Sequence, residues 1–228
     1  MNDRELLKEL ESLGSEQTRK TYKRHGVGDK QFGVSYANLG KLQKKIKVDH
    51  DLAGKLWASG IHDAQLLAIM IADPSEMTVK EIDVWARSVS NYMLTDALAG
   101  LVSKTRFAIE KAEKWTKSKD EWLGSAGWQL LGGLALRDAS LPDSFFQPYL
   151  EAIASKIHGS KNRVRYAMNG ALIAIGCRNT QLEKKAMAVA AKIGKVEVDH
   201  GDTGCKTPDA ASYIRKTMAY QKAKTAKA

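Results

Sequence analysis

Cysteine is scarce in this chain: Cys177 and Cys205 are the only two, and neither stands in a CxxC pair. Two thiols are too few for a disulfide framework, which points to a reducing compartment, and a cytoplasmic location is expected. Long apolar runs are missing too. None approaches the roughly 20 residues needed to cross a bilayer, and the start Met1-Asn2-Asp3-Arg4-Glu5 lacks the basic-then-apolar form of a signal peptide. A soluble chain with no membrane role is expected, since its basic residues are spread along the sequence and not gathered on one amphipathic segment. Strand-like alternation is confined to Lys195-Val196-Glu197-Val198, which has no second run to pair with. No Walker motif, dinucleotide fingerprint, nucleophile elbow or HExxH is present, so no cofactor is expected. Asp199, His200, Asp202 and Cys205 crowd a Gly-rich stretch, but their spacing matches no zinc pattern. A structural loop is expected there, and no metal site.

What the chain has in excess is positive charge. Its 36 Lys and Arg against 26 Asp and Glu give a net charge of +10. Such a balance suits partners that carry dense negative charge, of which a polyphosphate backbone is the commonest in a cytoplasm. The 228 residues can bury a sizeable core, and no Pro/Gly/Ser-rich linker divides them. One domain over residues 1–220 is expected, followed by a flexible basic tail over 221–228.

Apolar residues recur at helical spacing almost throughout, and candidate caps divide them into about a dozen helices. Asn2, Ser15, Ser35, Asp49 or Asp51, Asp63, Thr78, and Thr95 or Asp96 each precede an apolar-periodic run. Further helices are expected from Thr105, from Asp120 to Leu136, from Pro142 to Ile157, from Asn162 to Ile175, from Thr180 to Ile193 and from Pro208 to Tyr220. That many short-looped helices without strands predict an all-α fold, an α-solenoid of helix pairs repeating every 35–45 residues or so. Stacked pairs curve, and a concave basic face lined with Lys and Arg is wide enough for a duplex about 20 Å across.

Several residue groups carry two readings each. Tyr92 and Asp96 are i, i+4 neighbours if one helix spans both. Asp96 is either a functional carboxylate or a helix N-terminal residue beside Thr95. Tyr92 either packs in the core or lines the groove. Lys161, Arg163 and Arg165 sit at a helix N-terminus, where side chains and backbone N–H groups can share one phosphate, or they form a solvated charge run. Arg106, Lys111, Lys114 and Lys117 form a second basic stripe, diluted by Glu110 and Glu113. Trp57, Trp85, Trp115 and Trp122 fall on apolar stripes and are expected in the core, with Trp128 as the exception that offers an aromatic face. Gly132-Gly133 is expected to allow close helix packing rather than to hold a phosphate.

Three segments, in order and at matching spacing, resemble the AlkD-like DNA alkylation repair family. They are Ser90-Asn91-Tyr92-Met93-Leu94-Thr95-Asp96, the run Trp122-Leu123-Gly124-Ser125-Ala126-Gly127-Trp128, and the stretch from Asn162 to Asn179. The segment from Gly194 to Lys206 resembles an extension found in one branch of that family. The resemblance covers about residues 75 to 215. It implies HEAT-like repeats in a C-shape that grip duplex DNA by its phosphates, and an activity that hydrolyses the N-glycosidic bond of cationic alkylated purines. In that chemistry a carboxylate, aromatic faces and an Arg stabilise the oxocarbenium-like sugar.

The site carried over by resemblance is incomplete. The family's carboxylate falls on Asp96, and an aromatic on Tyr92, where Trp is usual. Its Arg falls on Ser125, its second Trp on Gly170, and a further Arg on Ile173. Loss of these groups should remove the preference for a cationic base and leave phosphate binding. The expectation is therefore a monomeric protein that binds duplex or branched DNA, with weak or no glycosylase activity. Two alternatives stand beside it: an active glycosylase in which Asp96 is essential and Trp128 or a nearby Arg takes over the missing roles, and a protein-interaction scaffold.

Overall fold

The structure is a computed structural model that describes residues 2–225. Helix starts follow from caps in the sequence. Asn2, Ser15, Ser35 and Asp49 accept a backbone N–H from their third following residue, opening α1 (Asp3–Leu13), α2 (Glu16–Arg24), α3 (Tyr36–Ile46) and α4 (His50–Ala58). Thr78 does the same for α6 (Val79–Ser88), with Glu81 closing a capping box. Before it runs α5 (His62–Ile71), and after it α7 (Tyr92–Val102) and α8 (Ala108–Trp115). Next come α9 (Glu121–Arg137), capped by Asp120, and α10 (Asp143–Lys156). The chain continues through α11 (Asn162–Gly176), α12 (Thr180–Ile193) and α13 (Ala210–Thr225). The described residues hold no strand; Gly14 and Val34 form one isolated bridge, and residues 195–198 run as irregular backbone. The all-α expectation is met.

Four helix starts differ from those expected. Asp63 is not a cap: it lies inside α5, whose N-cap Ile61 offers no side-chain bond, and it is fully buried. Its carboxylate instead accepts the backbone N–H groups of Phe32 (2.6 Å), Gly33 (3.3 Å) and Val34 (2.6 Å). Thr95 and Asp96 do not start α7 either, because Asn91 caps it one turn earlier. Thr105 hydrogen-bonds the Val102 carbonyl at 2.8 Å, which delays α8 to Ala108. The last helix starts at Ala210 and runs past Tyr220 to Thr225, so residues 221–225 of the expected tail are helical, and 226–228 lie outside the described residues.

The chain forms two compact units, residues 1–107 with 201–203, and residues 108–200 with 204–228. In the first unit α5 is the axis: every residue but Met70 is buried, and α3, α4 and α7 pack on it. Such all-round burial needs an apolar helix, and Leu66, Leu67 and Ile71 supply most of its volume. Trp57 and Trp85 stack face to face at 4.3 Å, and the Trp57 indole N–H donates to Ser88 Oγ. In the second unit α9 and α11 pack along most of their length, flanked by α8, α10, α12 and α13. Gly127 lets the end of α8 approach α9, since a Cβ there would stand 2.4 Å from the backbone nitrogen of Thr116. Gly132 lets α9 approach α11, with Ala171 and Ala174 at 3.5 Å from an added Cβ, whereas Gly133 faces Arg137 of its own helix.

Candidate functional site

In the first unit the Asn91 cap decides the geometry. Its side chain accepts from Leu94 N (3.0 Å) while its carbonyl accepts from Thr95 Oγ1 (2.9 Å), so Tyr92 becomes the first residue of α7. Asp96 then lies one turn on, along the same helix face, and is exposed. The Tyr92 hydroxyl meets Nδ1 of His25, and the two rings lie edge to face at 5.7 Å. From the start of α3 comes Tyr36, half exposed at 51%. Burial, and then the neighbouring Asp96 carboxylate, push the Tyr36 phenol above its ordinary range. An exposed carboxylate thus has a phenol nearby and a second phenol, itself bonded to an imidazole, one turn before it. Tyr36 and His25 were absent from the sequence-predicted set. They are 60 and 67 residues away from their partners, and no local spacing announces such a pairing.

In the second unit the predicted residues scatter. Ser125 is 1% exposed and Trp128 is 4% exposed. Trp128, expected to stand apart from the other tryptophans, belongs to the core and packs edge-on against Tyr149 at 5.9 Å. It forms part of the wall of a cleft of about 680 Å³ that also includes Phe145, Met168, Lys117 and Lys156. Gly170 is exposed, and a Cβ there would meet nothing within 4 Å. Ile173, three residues on, is 8% exposed and part of the core.

The three cations at the start of α11 do not act alike. Lys161 is exposed and holds the N-cap position without a side-chain bond. The Arg163 guanidinium lies 4.8 Å over the Tyr166 ring. Its backbone N–H donates to Oε1 of Glu121 at 2.8 Å, so a carboxylate from α9 already occupies part of the helix terminus expected to receive a phosphate. Arg165 donates to the carbonyls of Glu197 (2.8 Å) and Ser160 (3.0 Å), which makes it a brace between the start of α11 and the stretch after α12. The second basic stripe is also broken, because Lys111 is fully buried, with Glu110 Oε1 at 3.7 Å from its Nζ.

The stretch after α12 is anchored to the same helix start. Asn162 and the backbone of Asp199 exchange two hydrogen bonds of 2.7 and 2.8 Å, and the His200 ring sits edge-on to Tyr166 at 5.5 Å. His200 also pairs with the Thr207 hydroxyl at 3.0 Å, and Asn169 donates to the Pro208 carbonyl at 2.9 Å. Among the described residues no group of three or more His, Cys, Asp or Glu is placed to hold a metal ion. No helix among them is long and apolar enough to cross a membrane.

Comparison with known proteins gives the family and the fold. The model of the DNA alkylation repair enzyme family matches residues 6–214. The chain belongs to that family. It is 33% identical over 214 residues to an uncharacterized protein of Listeria innocua, covering 91% of this chain and 93% of that protein. A second uncharacterized protein, from Listeria monocytogenes, is 34% identical over the same length and coverage. Among solved structures, the chain superposes with a TM-score of 0.88 and 33% identity on a member of a new family of proteins related to the HEAT-like repeat DNA glycosylases with affinity for branched DNA structures. That match covers 97% of this chain and 95% of the other. The fold is accordingly of the HEAT-like repeat type, over nearly the whole length.

Proposed function

We propose that this family member is a DNA-binding HEAT-like repeat protein that engages branched or distorted duplex DNA through its phosphates and has little or no glycosylase activity. The observation that carries the reading is what stands at the positions of the family's Arg and second Trp. Ser125 is uncharged and buried, and Gly170 leaves open space. A site without a cation and without that second ring has lost two of the groups that would stabilise a charged base and an oxocarbenium-like sugar. Net charge of +10 and the likeness to a structure whose family has affinity for branched DNA support the binding half. Within the predicted set, exposed Lys161 is the phosphate contact, Arg163 is shared between Tyr166 and that contact, and Arg165 serves the loop. The protein acts as a monomer, with residues 1–220 working as one domain.

A second reading has one observation of its own. Asp96 is exposed, with Tyr36 beside it and Tyr92 one turn before it on the same helix, which is an arrangement suited to a lesion-facing carboxylate. Anisotropy titrations of duplex and four-way-junction DNA between 50 and 200 mM salt, on the order used to read phosphate contacts, test the first reading. No binding to either substrate at the lowest salt sinks it. Base release from methylated DNA, compared between wild type and Asp96→Asn, separates the two. Release by wild type that Asp96→Asn abolishes establishes the glycosylase.

A further inference from the structure

Most apolar surface on a helix is spent on the core, and α13 follows that rule on one side only. Ala210, Ile214 and Met218 are buried, where α13 packs on α11 and α12. An exposed side next to it carries Tyr213, Lys216, Tyr220 and Lys224, spaced i, i+3, i+7 and i+11, which makes one stripe at 100° per residue. Tyr220 is the most exposed large apolar side chain of the described residues at 70%, and Tyr213 is 54% exposed. On the flank away from the core stand Ser212, Ala219 and Ala223, all small, so both rings are open on that side.

Charge selects the occupant. The helix carries Arg215, Lys216, Lys222 and Lys224 and no acidic residue. The nearby acids are engaged: Asp209 accepts from Ser212 N at 2.8 Å, and Glu183 pairs with Lys222 at 3.1 Å. A second copy of the chain presenting the same face would set lysines against lysines, which disfavours self-pairing. A membrane surface would need the apolar side of the helix, which is already buried. Two open rings alternating with two lysines match a single nucleic-acid strand, whose unpaired bases stack on aromatic faces while its phosphates meet cations. The rings stand about 10 Å apart along the helix, the reach of roughly three nucleotides at a stacked rise of ~3.4 Å.

We infer that the outer face of α13 binds a single-stranded arm of DNA through Tyr213 and Tyr220, with Lys216 and Lys224 on the phosphates. The inference rests on the DNA-binding reading above and adds where an unpaired strand goes. It is tested by anisotropy with a blunt duplex and with the same duplex carrying an oligo-dT arm, using wild type, Tyr213→Ser/Tyr220→Ser and Lys216→Gln/Lys224→Gln. The arm should tighten wild-type binding about 5-fold or more for each stacked ring. The tyrosine variant should lose that gain and keep its blunt-duplex affinity within about 2-fold. The lysine variant should lose part of it, with a salt slope shallower by about 1 to 2. Equal wild-type affinity for the two DNAs, or an arm preference that survives in the tyrosine variant, overturns this inference and leaves the duplex reading standing. Binding of neither DNA overturns both. Concentration-dependent self-association that the tyrosine variant abolishes assigns the face to a second copy instead.

Discussion

The two central helices, α5 in the first unit and α11 in the second, begin in opposite ways. Neither has a side-chain cap of its own. α5 sends a carboxylate outward: Asp63, fully buried, gathers three consecutive N–H groups of residues 32–34. α11 receives one: Glu121 of α9 takes the N–H of Arg163. In the first unit the acid orders a loop, which Tyr22 then seals by donating to the Val34 carbonyl at 2.6 Å. Burial, and then Asp63, raise the Tyr22 phenol well above its ordinary range. In the second unit the acid fills a helix terminus that cations flank, and so removes part of a ready anion site. The same residue chemistry, placed on the core helix or on its neighbour, builds a scaffold in one unit and tunes a surface in the other.

The sharpest way to break this comparison is Asp63→Ala. Several buried N–H donors lose a charged acceptor at once, and a loss of about 3–5 kcal/mol is expected from urea unfolding midpoints. Asp63→Asn should cost less, because the amide oxygen still accepts. A cost below about 1 kcal/mol for the alanine variant would remove the clamp from the account.

Beside Asp63, the His62 ring is 3% exposed, and neither ring nitrogen meets a hydrogen-bond partner among the described residues. Burial lowers its pKa from 6.5 to about 4, against a smaller opposing pull from Asp63. The neutral ring is favoured in the fold and the unfolded chain takes up the proton first. Its contribution is therefore whole above about pH 6.5 and is lost as pH falls towards 4, roughly 3 kcal/mol in all. His62→Phe should flatten the acid limb of the stability profile between those pH values; an unchanged limb would show that other groups set it.

On the α11 side the effects are smaller and split by role. Arg165→Met should lower stability by about 1–2 kcal/mol through two lost carbonyl partners and leave the salt dependence of DNA binding unchanged. Lys161→Gln should do the reverse, reducing the salt slope by about 1 with stability within ~0.5 kcal/mol. Smallest is Gly170→Ala: the site is helical, exposed and open, so thermal unfolding should show a gain of up to about 1 kcal/mol. A destabilising outcome there would mean that the space is not open in solution.

Much of this was legible in the residues. Asn2, Ser15, Ser35, Thr78 and Asp120 cap the helices they precede, because capping is a bond between residues three apart and shows itself in a short window. Trp57, Trp85 and Trp115 follow the apolar stripes into the core, Trp128 joins them against its expected exception, and Trp122 is half-buried. The candidate site was legible to a lesser degree. Tyr92 and Asp96 share a face as their spacing implied, but Tyr36 and His25 reach them across a unit's fold. Asp63 read as a cap for the same reason that it is not one: a carboxylate ahead of an apolar run looks identical whether it bonds its own helix or a loop 30 residues earlier.

By itself the sequence determined helix, helix starts to within about a turn, and a basic charge balance, since these follow from hydrogen bonds and apolar spacing within a few residues and from a sum of charges. Tertiary structure alone decided which charges are spent. Arg165, Glu121, Asp63 and Lys111 look solvent-facing in one dimension, and packing assigns each a partner or a buried place that no local pattern encodes.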